Sequence, residues 1–127
     1  MTVVHTGRPL PAEPIVLTAA TDLAAGTTAE RFGGREHGGG VEISFFLNHT
    51  PPGRVVSDHR HPYGEVFILL DGEATFRVDG AEASARGGQV VVAPAGAMHG
   101  FRNSGTGTLE MISIHAAAEM VTEWAAG

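Results

Sequence analysis

Two histidines and a glutamate lie close together in the stretch from Gly53 to Gly72. His59 and His61 are two residues apart, and Glu65 follows four residues later. On an extended strand His59 and His61 share one face, because successive side chains alternate. A turn at Pro62-Tyr63-Gly64 then returns Glu65 to the same side. Two imidazoles and a carboxylate are ligands that suit a divalent ion, so the stretch predicts a metal site built on strands.

The composition indicates one globular domain. The 127 residues are 43% hydrophobic, which is enough to bury a single core. A formal charge of -6 offers no basic surface for nucleic acid, and the absence of cysteine excludes disulfides and zinc–thiolate sites. The first 14 residues lack the basic and apolar regions of a secretory signal, and no apolar run is long enough to span a membrane. We therefore expect a cytoplasmic protein.

The 18 glycines and 7 prolines predict many short strands joined by tight turns. Residues 1–20 are expected to form an extended N-terminal arm and a first strand near Ile15. Residues 21–115 are expected to form the barrel. Alternation along residues 41–49 and 74–79 is typical of strands, residues 65–70 are apolar on both faces and predict a central strand, and residues 108–115 are expected to form the last strand. Asp79-Gly80 indicates a type I′ hairpin turn. Residues 116–127 are alanine-rich and predict a short C-terminal helix. The predicted fold class is all-β, closed or nearly closed.

Five glycines fall within the eight residues Gly33–Gly40. Such a segment predicts a flexible loop. Two interpretations remain open. The loop is either a lid from which Arg35 or His37 reaches a ligand, or an ordinary solvated loop.

Two longer patterns resemble the motifs of the cupin family. Gly53, His59, His61, Glu65 and Gly72 have the spacing of the first cupin motif. The second motif is matched by the following residues: Gly88, Pro94, Gly96, His99 and Asn103. The segment between the motifs, residues 73–87, has the short length typical of small microbial cupins.

This resemblance implies a double-stranded β-helix, or jelly-roll barrel, that holds one divalent metal ion. The ligands carried over by position are His59, His61, Glu65 and His99. Fe(II), Mn(II), Ni(II), Cu(II) and Zn(II) all accept such a mixed set, and the metal's identity stays open. The family also suggests a homodimer, for which the strand Val66–Leu70, the N-terminal arm and the Met120/Trp124 face of the predicted helix offer apolar surface. The alternative is that this helix packs across its own barrel.

The resemblance leaves the reaction open, because cupins perform many. The favoured hypothesis is a mononuclear non-heme metal oxygenase that acts on a small organic molecule, with Glu65 as a base and Tyr63 as a gate or hydrogen-bond donor. A redox-neutral isomerase, cyclase or lyase is the alternative, as is a non-catalytic protein that binds a small molecule or a metal.

The substrate pocket is expected among side chains that alternation could turn inward. They are Phe45, His49, Phe67, Phe76, Phe101 and Met111. Each has a second interpretation: a small barrel needs bulky side chains simply to fill its interior, and the alternative for His49 is a position at a rim. His115 shares a face with Met111 and Ser113, and either supports the ligands or packs at the end of the barrel.

Overall fold

Ten strands and two one-turn helices form the regular structure of the computed structural model, which describes residues 13–126. The helices are α1 (Ala19–Asp22) and α2 (Gly34–His37). The strands are β1 (Ala29–Gly33), β2 (Ser44–Thr50), β3 (Val55–Arg60), β4 (Glu65–Asp71), β5 (Glu73–Val78), β6 (Ala81–Arg86), β7 (Val90–Ala93), β8 (His99–Asn103), β9 (Leu109–His115) and β10 (Glu123–Trp124). No helix of these described residues is long and apolar enough to cross a membrane.

The strands form two five-stranded antiparallel sheets. The first has the order β1-β2-β9-β4-β7 and the second the order β10-β3-β8-β5-β6. Side chains from the two inner faces meet in one core, whose largest fully buried members are Phe76, Leu69, Leu109 and Met111. This is the predicted all-β, double-stranded β-helix architecture.

The connection between β5 and β6 forms as its sequence predicts. Asp79 and Gly80 both have positive φ, at 47° and 82°. A type I′ turn requires that combination, and its twist matches the twist of the strands it joins. The turn fixes the register in which Val78 lies opposite Ala81 and Phe76 opposite Ala83.

The prediction of a C-terminal helix over residues 116–127 is wrong for the residues that the structure describes. Residues 116–122 have no regular structure, and Glu123–Trp124 forms β10, which pairs with β3. The Ala125 amide donates to the Asp58 carbonyl at 3.0 Å, and Arg60 binds Glu123 through two nitrogens. Helix propensity is a weak preference, and an open strand edge overrides it here.

The structure also differs from the predictions for the N-terminal arm and for the glycine-rich segment. Residues 1–12 of the predicted N-terminal arm lie outside the described residues. Residues 13–18, where a first strand was expected, have no regular structure. The glycine-rich segment contains α2, in which Arg35 pairs with Glu119 at 2.9 Å and the His37 ring accepts a hydrogen bond from the Gly33 amide.

The outer face of the first sheet is apolar across four strands. Cross-strand register places Val92 beside Val66, Val66 beside Ile114, and Ile114 beside Phe45. These side chains are half-buried at best, and Val90 and Val92 on the edge strand β7 are each 57% exposed. A strand normally alternates apolar and polar faces when its outer side meets water, so this face is unusual for a monomer.

Candidate metal centre

Four buried side chains converge at one end of the barrel. His59 lies near the end of β3 and pairs in register with His99, the first residue of β8. His61 follows the end of β3, and Glu65 is the first residue of β4. One ligand atom from each of these residues lies within 4.8 Å of the others, so the group is able to hold a metal ion. Pairing of β3 with β8 in the second sheet thus brings together the two halves of the site predicted from the sequence, and β4 of the first sheet supplies Glu65.

Backbone carbonyls set the tautomer of all three histidines. The Nδ1 atom of His59 lies 2.8 Å from the Ser57 oxygen, and that of His99 lies 2.9 Å from the Ala97 oxygen. The Nδ1 atom of His61 lies 2.8 Å from the Val121 oxygen. A carbonyl only accepts hydrogen bonds, so each Nδ1 carries the proton. Each Nε2 therefore keeps its lone pair available for a metal.

The lone pairs of His61 and His99 lie so close to a carboxylate oxygen of Glu65 that a cation is needed between these atoms. The Nε2 atoms of His61 and His99 each lie 2.9 Å from Oε1 of Glu65. For His61 the contact lacks hydrogen-bond geometry, and this Nε2 is the one fully buried side-chain polar atom of residues 13–126 without a partner. Three acceptors that crowd together repel one another unless a proton or a metal ion lies among them. The residues therefore fit a divalent ion.

The ionisation of these residues follows from their mutual contacts. Burial disfavours the charged form of Glu65, but the imidazoles of His115, His61 and His99 outweigh burial and hold its pKa well below the usual range. Burial also opposes protonation of His99, yet the Glu65 carboxylate outweighs it and raises the His99 pKa. For His59 burial prevails and lowers the pKa. The carboxylate therefore stays charged, as a metal ligand must.

His115 adds a fourth histidine that orients Glu65. The Tyr63 hydroxyl accepts from the Val121 amide at 3.2 Å and lies 2.7 Å from Nδ1 of His115. If Tyr63 donates to that Nδ1, the His115 proton is on Nε2, which lies 3.2 Å from Oε2 of Glu65. His115 thus donates to one carboxylate oxygen and leaves Oε1 toward the other histidines. Alternation on β9 indicated an inward His115, but the sequence did not show its register opposite Glu65.

A cavity of about 250 Å³ opens beside these residues. Of the predicted pocket residues, Phe67 and Phe101 line it. Phe76 and Met111 do not line it, because both are about 1% exposed and belong to the core cluster. Tyr63 contacts the site through His115 and does not line the cavity. Arg35 and His37 do not line it either, so no lid contact forms from the glycine-rich segment.

Phe45 and His49 are on the opposite face of β2 from the one predicted. Phe45 stacks on Phe32 with ring centroids 4.9 Å apart. His49 lies between Glu30, at 3.0 Å, and Glu110. Phe46 and Asn48 line the cavity instead. Both faces of this strand carry bulky apolar residues, so alternation alone does not show which face points inward.

Sequence reasoning also missed the contribution of the C-terminal segment to the cavity. Met120, Thr122 and Trp124 line it, and the Trp124 ring lies 4.7 Å from that of His59. These residues were expected on a helix. Only the pairing of β10 with β3 brings them over the site, and two residues of strand leave no periodic signal in a sequence.

The family profile described as "Cupin domain" matches residues 46–115. This chain belongs to the cupin family. A search of curated proteins gives no match. Among solved structures, an oxalate oxidase is similar with a TM-score of 0.71 and 19% identity. The match covers 86% of this cupin and 62% of the oxidase.

Two other structures have similar folds. The Bacillus subtilis oxalate decarboxylase, a protein with Mn(II) centres, gives a TM-score of 0.69 at 18% identity, with 83% of this chain and 30% of that chain covered. An uncharacterized conserved protein with a double-stranded β-helix domain from Klebsiella pneumoniae subsp. pneumoniae gives 0.67 at 20% identity, with 91% and 100% covered. At these identities the similarity shows the fold alone. This cupin spans less than two-thirds of the oxalate enzymes.

We expect His61→Ala to abolish metal binding while the barrel still folds. The substitution removes the Nδ1 hydrogen bond to the Val121 carbonyl but none of the strand pairing of the two sheets, and the Nε2 atom makes no hydrogen bond. Loss of a residue that only orients a ligand costs roughly 10–100-fold in metal affinity, and loss of a ligand should cost more. Elemental analysis after metal loading and thermal unfolding by circular dichroism measure the two effects. His49→Ala, on the outer face, is the matched control. A variant that fails to fold would show that the site is structural.

The metal-free protein should lose more stability than the metal-loaded protein as pH rises, whereas the raised pKa of His49 affects both forms alike. The raised pKa of His99 means that its proton stabilises the metal-free fold below the ordinary imidazole pKa of about 6.5. That stabilisation disappears as pH rises through the raised pKa, whereas a bound ion replaces the proton. Unfolding midpoints of chelator-treated and Mn(II)-loaded samples between pH 6 and 9 test this. A metal-free midpoint that rises over this range contradicts the assignment.

Proposed function

We propose that this cupin is a metal-dependent enzyme that acts on a small organic molecule, with a mononuclear non-heme metal oxygenase as the favoured reaction class. The observation that carries the proposal is the convergence of three Nε2 lone pairs and Glu65 Oε1 beside a cavity of about 250 Å³. The volume lies just below the ~300–1,000 Å³ common for small-molecule sites. A ligand set that opens onto a cavity differs from a closed structural metal site.

The chain's own residues have separate roles in this proposal. His59, His61, Glu65 and His99 hold the ion, which when bound supplies a Lewis acid and, as Fe(II) or Mn(II), a redox-active centre. His115 donates to Oε2 of Glu65 and keeps that carboxylate from rotating. These assignments give Glu65 a fixed position as a metal ligand, and its lowered pKa keeps it ionised there.

Much of the cavity wall around the ligands is apolar. Phe46, Phe67 and Phe101 form apolar wall, and Trp124 covers the His59 ring at the opening. In such surroundings electrostatic interactions are stronger than in bulk water, which favours both metal retention and polarisation of a bound ligand. The described residues that line the cavity are already in place, so the proposed site would need no change in the barrel to bind a ligand.

Oxygen consumption tests the reaction class. We expect Fe(II)-loaded protein to consume dioxygen with at least one member of a panel of catechols, diketones and thiols. His61→Ala should consume none, and His49→Ala should match the unmodified protein. An oxygen electrode and product analysis under air and under argon give the measurement. Conversion of a compound equally well under argon would replace the oxygenase with a redox-neutral isomerase, cyclase or lyase. A metal-loaded protein that converts none would favour a binding protein.

We also propose that the protein forms a homodimer through the outer face of its first sheet. Val66, Ile68, Ile112 and Ile114 lie side by side there, and Val92 extends the face to the edge. Association would remove this apolar surface from water.

The oligomeric state is measured by size exclusion with light scattering. We expect a dimer that Val92→Glu converts to monomer, because a buried unpaired carboxylate disfavours the interface. Val55→Glu is the control, since Val55 is also 57% exposed but lies in the second sheet. A monomeric unmodified protein, or equal effects of the two variants, would contradict the proposed surface.

A further inference from the structure

We propose that the cavity selects a ligand with a single negative charge and an apolar body, and that it discriminates against dianions. The inference concerns the substrate class and rests on metal binding in the proposed function. It depends on three features of the described residues: the absence of cations from the cavity wall, the charge of the ligand set, and the apolar surface around it.

No arginine or lysine lines the cavity among residues 13–126. The chain has no lysine, and its described arginines are engaged elsewhere or exposed. Their partners are Glu36 for Arg31, Glu119 for Arg35, Thr28 for Arg54, Glu123 for Arg60, Asp58 for Arg77 and Glu82 for Arg102, while Arg86 is exposed on β6. A second carboxylate on a ligand would therefore find no cationic partner in the cavity wall.

The ligand set leaves room for one negative charge. The three histidines are neutral when they ligate through Nε2, and Glu65 contributes one negative charge. A divalent ion with this set has a net charge of about +1. A monoanion brings the site to neutrality, whereas a dianion leaves a net negative charge in apolar surroundings. An uncompensated buried charge is strongly unfavourable, so the second charge should reduce affinity.

The remaining surface suits an apolar body with a neutral polar group. Phe46, Phe67 and Phe101 supply flat apolar wall. Asn48 donates to the Ser113 hydroxyl at 3.2 Å, and both residues line the cavity. This bond leaves the side-chain carbonyl oxygen of Asn48 to accept a hydrogen bond from a ligand and the hydroxyl hydrogen of Ser113 to donate one. These groups suit a neutral hydroxyl or carbonyl better than a second charge.

Trp124 provides a direct probe of binding. It is the single tryptophan of the chain and lines the cavity. Protein loaded with Zn(II), which is redox-inert, is titrated at pH 7 with mandelate, glycolate, phenylmalonate and oxalate. Tryptophan fluorescence and calorimetry follow binding, and zinc is assayed afterwards to exclude its removal by the ligand. Mandelate and phenylmalonate share an aromatic ring but differ by one charge, and glycolate lacks the ring.

We expect mandelate to bind at least tenfold more tightly than phenylmalonate or glycolate, and oxalate to bind weakly. Asn48→Asp adds a charge to the wall and should weaken mandelate binding at least tenfold. Gln89→Glu adds the same charge at an exposed position outside the cavity and should have no effect. Tighter binding of either dianion than of mandelate would overturn the inference, as would equal effects of the two variants.

This experiment separates the inference from the proposed reaction, because zinc-loaded protein needs no dioxygen and no turnover. Selective binding of mandelate by a protein that never consumes oxygen would support the charge selection and remove the oxygenase. Oxygen consumption by a protein that prefers the dianions would support the oxygenase and overturn the charge selection. A protein that retains no zinc, or that binds none of the four compounds, would overturn the inference.

Discussion

The rest of the site depends on one electrostatic constraint. Oε1 of Glu65 and the Nε2 atoms of His61 and His99 are acceptors held 2.9 Å apart, away from water. Such a group is stable only with a cation, and the metal-free fold meets that need with a proton. The backbone imposes the constraint, because the carbonyls of Ser57, Ala97 and Val121 fix the Nδ1 protons of the histidine ligands. These are His59, His99 and His61, respectively. The tautomers, and hence the ligand set, are therefore determined by the path of the chain around the barrel.

The C-terminal segment helps to hold the metal ligands in position. Val121 accepts from His61 through its carbonyl and donates to Tyr63 through its amide. Tyr63 in turn fixes the His115 tautomer that orients Glu65. Three residues further on, Trp124 covers His59. Because β10 adds to the edge of β3 with only two residues, the Arg60–Glu123 ion pair and the Ala125 amide complete its attachment. A helix in this place would supply neither the Val121 carbonyl nor the aromatic wall.

The sequence predicted the parts whose signals are local, and failed where tertiary pairing decides. His59, His61, Glu65 and His99 followed from motif spacing, and the β5–β6 turn from Asp79-Gly80. The faces of β2 did not follow, because Phe45, Phe46 and Leu47 are apolar in succession and both sheet faces are apolar. The C-terminal helix was predicted from alanine content, a preference of tenths of a kcal/mol per residue, against which strand pairing at an open edge prevails. The role of His115 required its register opposite Glu65, which alternation does not give.

Similarity of fold does not determine the chemistry of the cavity. The barrel determines where the four ligands converge, whereas the wall comes from inward-facing residues of β2, β3, β4, β8 and β9 and from the C-terminal segment. In this cupin these positions are filled by aromatic rings and an Asn48–Ser113 pair, with no cation among the described lining residues. The oxalate enzymes of similar fold therefore indicate the fold alone, and the charge of the preferred ligand must be inferred from the wall itself.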